Sequence, residues 1–152
     1  MKKVALLMGS ETDRELMEAA LPYFKHFGIP HEIKVLSAHR NPREVAEFAS
    51  SAEEQGFGVL IAGAGMAAHL AGALKAHSIL PVIGVPLPGG VSDGLDALLA
   101  TVQMPKGVPV ATVAVGKAGA INAAVLAAEI LALNEPELQE RLRAFKAKGS
   151  KL

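Results

Sequence analysis

The sequence predicts an α/β fold: a five-stranded parallel sheet, doubly wound in three layers, with a last helix at the C-terminal end. Two observations predict it. Short aliphatic runs alternate with longer segments of helical period, and the alternation repeats along all 152 residues without a linker or a break in composition. Each short run is also nearly unbroken in apolar character, as a strand buried on both faces must be.

The strands are expected at Val4 to Met8, Glu32 to Leu36, Val59 to Ala64, Val82 to Val85 and Val110 to Val115. Between them, helical period marks Asp13 to Phe27, Pro42 to Gln55, Ala67 to His77, Ser92 to Val102 and Ala118 to Leu133, with a polar helix from Glu135 to Lys148 at the end. Capping chemistry supports several boundaries. Asn41 before Pro42 has the form of an N-cap with proline in the first helical position, and Gly28 and Gly56 follow helices as C-terminal stops. Short connections and right-handed crossovers favour the flavodoxin-like strand order 2-1-3-4-5, with a Rossmann order as the alternative. Residues 1–152 are expected to form a single domain.

Composition narrows the function. Fifteen basic residues balance fifteen acidic ones, so there is no broad positive field to hold nucleic acid. Cysteine is absent, which removes disulfides, thiolate chemistry and Cys-type metal sites. No His-Glu-x-x-His pattern occurs, so no metal is expected. Gly, Pro, Lys and His interrupt every apolar run before it reaches about 20 residues, so no membrane span is expected. The N-terminus MKKVALLMGS lacks a long apolar segment before a cleavage site, and a cytoplasmic location is expected. Only 4% of the residues are aromatic and alanine is abundant near the C-terminal end. The helix at Gly119 to Leu133 is apolar around most of its circumference, which points to burial between subunits.

In an open parallel sheet, ligands bind outside the carboxyl ends of the strands, where the winding reverses. With order 2-1-3 that place lies between the first and third strands. The loops leaving the first three strands read Gly9-Ser10-Glu11-Thr12-Asp13, Ser37-Ala38-His39-Arg40-Asn41-Pro42 and Gly63-Ala64-Gly65-Met66-Ala67-Ala68-His69. All three are expected on one rim.

Ser10, Thr12 and Asp13 suit two roles, holding a phosphate and sugar hydroxyls or capping the helix that follows. His39 follows a strand end, where imidazole can accept and return a proton near neutral pH, and Arg40 offers a planar donor fork for phosphate. His69, placed a few residues into the third helix, either orients a ligand or caps a turn. His26, His31 and His77 lie near element ends and are expected at the surface. A P-loop is absent, the Gly63-x-Gly65 pair does not complete a dinucleotide fingerprint, and neither Ser10 nor Ser37 lies in a nucleophile elbow. Acid–base chemistry on a phosphorylated small molecule remains.

The motifs Met8-Gly9-Ser10 with Asp13, Ser37-Ala38-His39-Arg40, and Ala62-Gly63-Ala64-Gly65 with Ala67-Ala68-His69-Leu70 resemble those of the N5-carboxyaminoimidazole ribonucleotide mutases (PurE family, class I). The similarity continues through Pro81 to Pro86, Val102-Gln103-Met104-Pro105, Gly107 to Val110, Gly116 to Ala120 and Asn122-Ala123-Ala124. It implies a flavodoxin-like subunit in a homo-octamer. It also implies conversion of N5-carboxyaminoimidazole ribonucleotide to 4-carboxy-5-aminoimidazole ribonucleotide, in purine synthesis, with no metal or organic cofactor. By matching position, His39 manages the protons. Ser10, Asp13 and Arg40 hold the ribose phosphate, while Ser37, Ala38, Gly63, Ala64, Gly65, His69 and Leu70 line the base and carboxylate pocket.

The chain departs from the resembled pattern at two places. The family commonly carries Gly-Gly-Ala-Ala-His-Leu-Pro-Gly where this chain reads Gly65-Met66-Ala67-Ala68-His69-Leu70-Ala71-Gly72, and Met66 adds bulk near the expected carbon dioxide pocket. Leu87 to Gly94 also differs and is assigned no catalytic role. A related carboxylase that uses free carbon dioxide is the nearest alternative. It typically carries Ser-Ala-His-Lys, against Arg40 here. A non-catalytic sensor of a phosphorylated ligand is the alternative from another class.

Overall fold

The computed structural model describes residues 1–152. Its sheet has five parallel strands in the order β2-β1-β3-β4-β5, as expected from the sequence. The strands are β1 (Lys3–Met8), β2 (His31–Val35), β3 (Phe57–Gly65), β4 (Val82–Leu87) and β5 (Ala111–Thr112). The helices are α1 (Arg14–Met17), α2 (Leu21–Phe27), α3 (Pro42–Ser51), α4 (Leu70–His77), α5 (Leu95–Val102), α6 (Lys117–Ala132) and α7 (Pro136–Ala147). Tight 3₁₀ turns at Glu11–Asp13 and Glu18–Ala20 flank α1, so the expected helix from Asp13 to Phe27 is one helical path with changes of pitch.

Side-chain alternation divides the core into two layers. Val4, Leu6, Met8, Val59, Ile61, Ile83 and Val85 face α2, α6 and α7, while Ala5, Leu7, Leu60, Ala62 and Val82 face α3 and α4. Strands β1 and β4 are buried along nearly their whole length, which is why their sequences show runs and no alternation. The small residues of α6 let it sit close to the sheet: Ala120, Ala123, Ala124, Ala127 and Ala128 are fully buried. The ring edges of Tyr23 and Phe27 meet Phe145 of α7, and the Arg141 guanidinium donates to the Phe27 carbonyl at 2.7 Å.

Two expectations change in detail. Strand β5 spans only Ala111–Thr112 and not Val110 to Val115, because the chain beyond Thr112 keeps only single bonds to β4, from Val113 to Gly84 and from Gly116 to Pro86. Asn41 occupies the position before α3, but its side chain does not cap the helix. Its Oδ1 accepts instead from the Ser37 N–H. Much of the cover for α6 comes from the sheet, α2 and α7 of the same chain, and the apolar face left half exposed belongs to α5, at Leu95, Leu99 and Val102. No helix is long and apolar enough to cross a membrane.

Candidate active site

A cavity of about 470 Å³ opens at the carboxyl ends of β1, β2, β3 and β4. Strand order explains it, because β1 and β3 are neighbours whose following connections run to opposite faces of the sheet. Ser10, Asp13, Ser37, Ala38, His39, Arg40, Ala64, Gly65, His69 and Leu70 all line it.

The first loop leaves β1 at Gly9, whose N–H donates to the Gly63 carbonyl at 3.2 Å and ties the ends of β1 and β3 together. Ser10 then caps the 3₁₀ turn. Its Oγ accepts from the Thr12 N–H at 3.3 Å and pairs with the Thr12 hydroxyl at 2.9 Å. The capping and lining roles of Ser10 therefore coexist. Asp13 is half-buried, and its carboxyl is pushed above the ordinary range by burial, partly offset by the Ser10 backbone N–H. Arg14 is committed to Glu11 and Glu18, which leaves Arg40 as the guanidinium on the cavity with no carboxylate partner.

The second loop is a compact turn. The Ser37 Oγ accepts from the Arg40 N–H at 3.2 Å, the Asn41 Oδ1 accepts from the Ser37 N–H at 3.2 Å, and the Asn41 N–H donates to the Ser37 carbonyl at 2.8 Å. These bonds hold His39 within the turn, on the exposed side. The third loop turns sharply after Gly65, with Met66 in the left-handed region at φ 53°. Glycine enters that region without a Cβ penalty, which accounts physically for the glycine common at this place in the resembled family. Met66 is 65% exposed, so its bulk stands at the rim. The turn brings His69 to the position just before α4 and not into the helix as expected, and the imidazole does not cap it.

There the two loops meet. His39 Nε2 and His69 Nδ1 lie 2.7 Å apart, with the rings at 79°. One nitrogen must donate and the other accept, so the bond requires an unprotonated nitrogen in the pair. His39 Nδ1 and His69 Nε2 have no protein hydrogen-bond partner and remain available to a substrate. The remaining histidines are at the surface as expected, with His31 stacked on Phe24 and His26 against Phe27.

Gly63 does not line the cavity. It is buried beneath the wall, where an added Cβ would overlap the Met17 thioether, so its smallness serves packing. Sequence reasoning also missed part of the wall, since Pro88 and Gly89, in the loop after β4, close one side. The Pro-Gly-Gly run directly after an apolar strand was the available signal. There is no group of three or more His, Asp or Glu side chains arranged to hold a metal ion.

Fold and cavity together define a flavodoxin-like α/β protein whose switch-point cavity carries a hydrogen-bonded histidine pair and a guanidinium. The chain belongs to the AIR carboxylase family, whose model matches residues 3–151. It is 49% identical over 144 residues to the N5-carboxyaminoimidazole ribonucleotide mutase of Escherichia coli K12, covering 95% of this chain and 85% of that protein. To the mutase of Saccharolobus solfataricus it is 52% identical over 145 residues, covering 95% and 90%. The crystal structure of Treponema denticola PurE superposes with a TM-score of 0.84 at 27% identity, covering 97% of this chain and 90% of that one.

Proposed function

We propose that this protein is an N5-carboxyaminoimidazole ribonucleotide mutase of purine synthesis, an isomerase that moves a carboxyl group from the exocyclic nitrogen to C4 of the imidazole. What carries the proposal is identity of 49% to a mutase over 95% of the chain. The geometry of the cavity supports it, because the reaction is a proton-handling problem. As the carbamate N–C bond breaks and releases carbon dioxide, the nitrogen needs a proton. Once the new C–C bond has formed at C4, the C4 proton must leave. The two transfers cancel, so one base can serve both.

His39 is the group we assign to them. An imidazole can both accept and return a proton, and the bond to His69 offers a place to share the charge. Arg40 and the hydroxyl of Ser10 hold the phosphate, and Asp13 accepts from the ribose. Ser37, Ala38, Ala64, Gly65, His69 and Leu70 enclose the base and the released carbon dioxide. The enzyme acts without cofactor in the cytoplasm, as a homo-octamer in which the exposed apolar side of α5 is covered by a second copy.

A paired assay tests the activity. Purified protein is given N5-carboxyaminoimidazole ribonucleotide in one arm and aminoimidazole ribonucleotide with bicarbonate in the other. Rapid conversion in the first arm only supports the mutase. Preference for the second would make the protein a carboxylase, and turnover in neither would leave the sensor.

A further inference from the structure

We propose that Asp93 is a positioning residue for the cavity: its carboxylate holds the Pro88–Gly89 wall from outside the site. The Asp93 Oδ1 accepts from the Gly89 N–H at 3.0 Å, and Gly89 and Pro88 both line the cavity. The segment is held under backbone strain. Ser92 and Asp93 are both in the left-handed region, at φ 49° and 53°, and Gly94 follows at 120°. Consecutive non-glycine residues keep such angles only where surrounding contacts impose them.

Those contacts are identifiable. On the far side of the turn, Asp96 in the first turn of α5 accepts from the Val91 N–H through Oδ2 and from the Ala97 N–H through Oδ1. Its carboxylate also lies where a Cβ on Gly90 would stand, so Gly90 must be small. From below, Val115 packs where a Cβ on Gly94 would be. Asp96 and Val115 thus fix the far half of the segment, and Asp93 alone among side chains holds Gly89. Aspartate suits both demands, because it tolerates the left-handed region and accepts from a backbone N–H.

The proposal rests on the mutase reading for its kinetic test. Saturated turnover, KM for the carbamate ribonucleotide, thermal midpoint and amide exchange at Gly89 are measured for the wild type, D93N, D93G and D93A. In D93A the wall loses its anchor, so KM rises about tenfold, the size of one hydrogen bond to a charged group. Saturated turnover stays within about threefold of wild type, because the wall contacts substrate and transition state alike. D93N keeps an acceptor and a tolerant backbone and restores KM. D93G relieves the strain without the bond and does not. Gly89 exchange accelerates in D93A and D93G only. A KM in D93A within twofold of wild type would overturn the assignment, as would a D93N as impaired as D93A. A loss of thermal midpoint with KM unchanged would reduce Asp93 to a structural residue and overturn it too. Should the wild type fail to convert the carbamate, the function falls, and Gly89 exchange still decides whether Asp93 holds the wall.

Discussion

Substituting Gly63 by alanine tests whether this glycine is a packing residue under the site or part of its wall. It is buried in β3, and the added methyl would sit inside contact distance of the Met17 Sδ, with Cε at 2.7 Å and Cγ at 3.0 Å. Met17 is itself fully buried. Over-packing of this kind costs about 1–3 kcal/mol. At roughly 2–4 °C per kcal/mol for a chain of this size, the thermal midpoint should fall by about 2–12 °C.

Met17→Ala alone should cost about 2–5 kcal/mol, because it empties a core position. In the double variant the new methyl occupies space the thioether has left. The combined cost should therefore fall short of the sum of the single costs by at least about 1 kcal/mol. Urea unfolding of the four proteins at one protein concentration measures the cycle. Costs that add to within about 0.5 kcal/mol would refute the packing argument. A raised KM in Gly63→Ala at unchanged stability would return Gly63 to the cavity wall.

Three further substitutions follow from the geometry. Burial raises the Asp13 carboxyl above its ordinary value of 3.8, so the charged form disfavours the folded state at neutral pH and that penalty disappears as pH falls through the folded value. Asp13→Asn should thus have a higher thermal midpoint at pH 7 but weaker ribonucleotide binding, with the stability gain fading toward pH 3.8; a lower midpoint at pH 7 would contradict this. Arg40→Ala removes the cavity guanidinium and should raise KM by about tenfold or more, with saturated turnover little changed, since the proposed phosphate contact would serve ground and transition states alike. Lost turnover at unchanged KM would contradict the role. Leu99 is 50% exposed on α5, and Leu99→Asp should shift the sedimentation coefficient toward smaller species; unchanged assembly would move the interface elsewhere.

The fold was legible because buried parallel strands leave a clear trace: Val4 to Met8 and Val82 to Val85 are apolar runs, and the crossover rules then restrict the order. The site was legible for the same reason, since the switch-point rule names the loops before any side chain is considered. What escaped depends on tertiary detail. Pro88 and Gly89 join the wall because β4 lies beside β3, and neither residue carries a polar side chain to attract notice. The pairing of His39 with His69 follows from a left-handed turn at Met66, a residue type that gives no such signal in sequence. The resemblance alone implies Gly63 on the wall, and a sequence does not distinguish smallness for a ligand from smallness for Met17.

The central claim is that His39 carries the protons of the carboxyl transfer. His39→Asn keeps a hydrogen-bonding amide near the position of Nδ1, gives up the bond that Nε2 makes to His69 Nδ1, and removes the ring nitrogens that accept and return a proton. Ribonucleotide affinity and saturated turnover are measured on the same folded variant. The account predicts near-normal affinity with turnover lower by about 10²–10⁴-fold, the contribution typical of a general acid–base group. A variant that binds weakly but turns over at close to the wild-type maximal rate would contradict it.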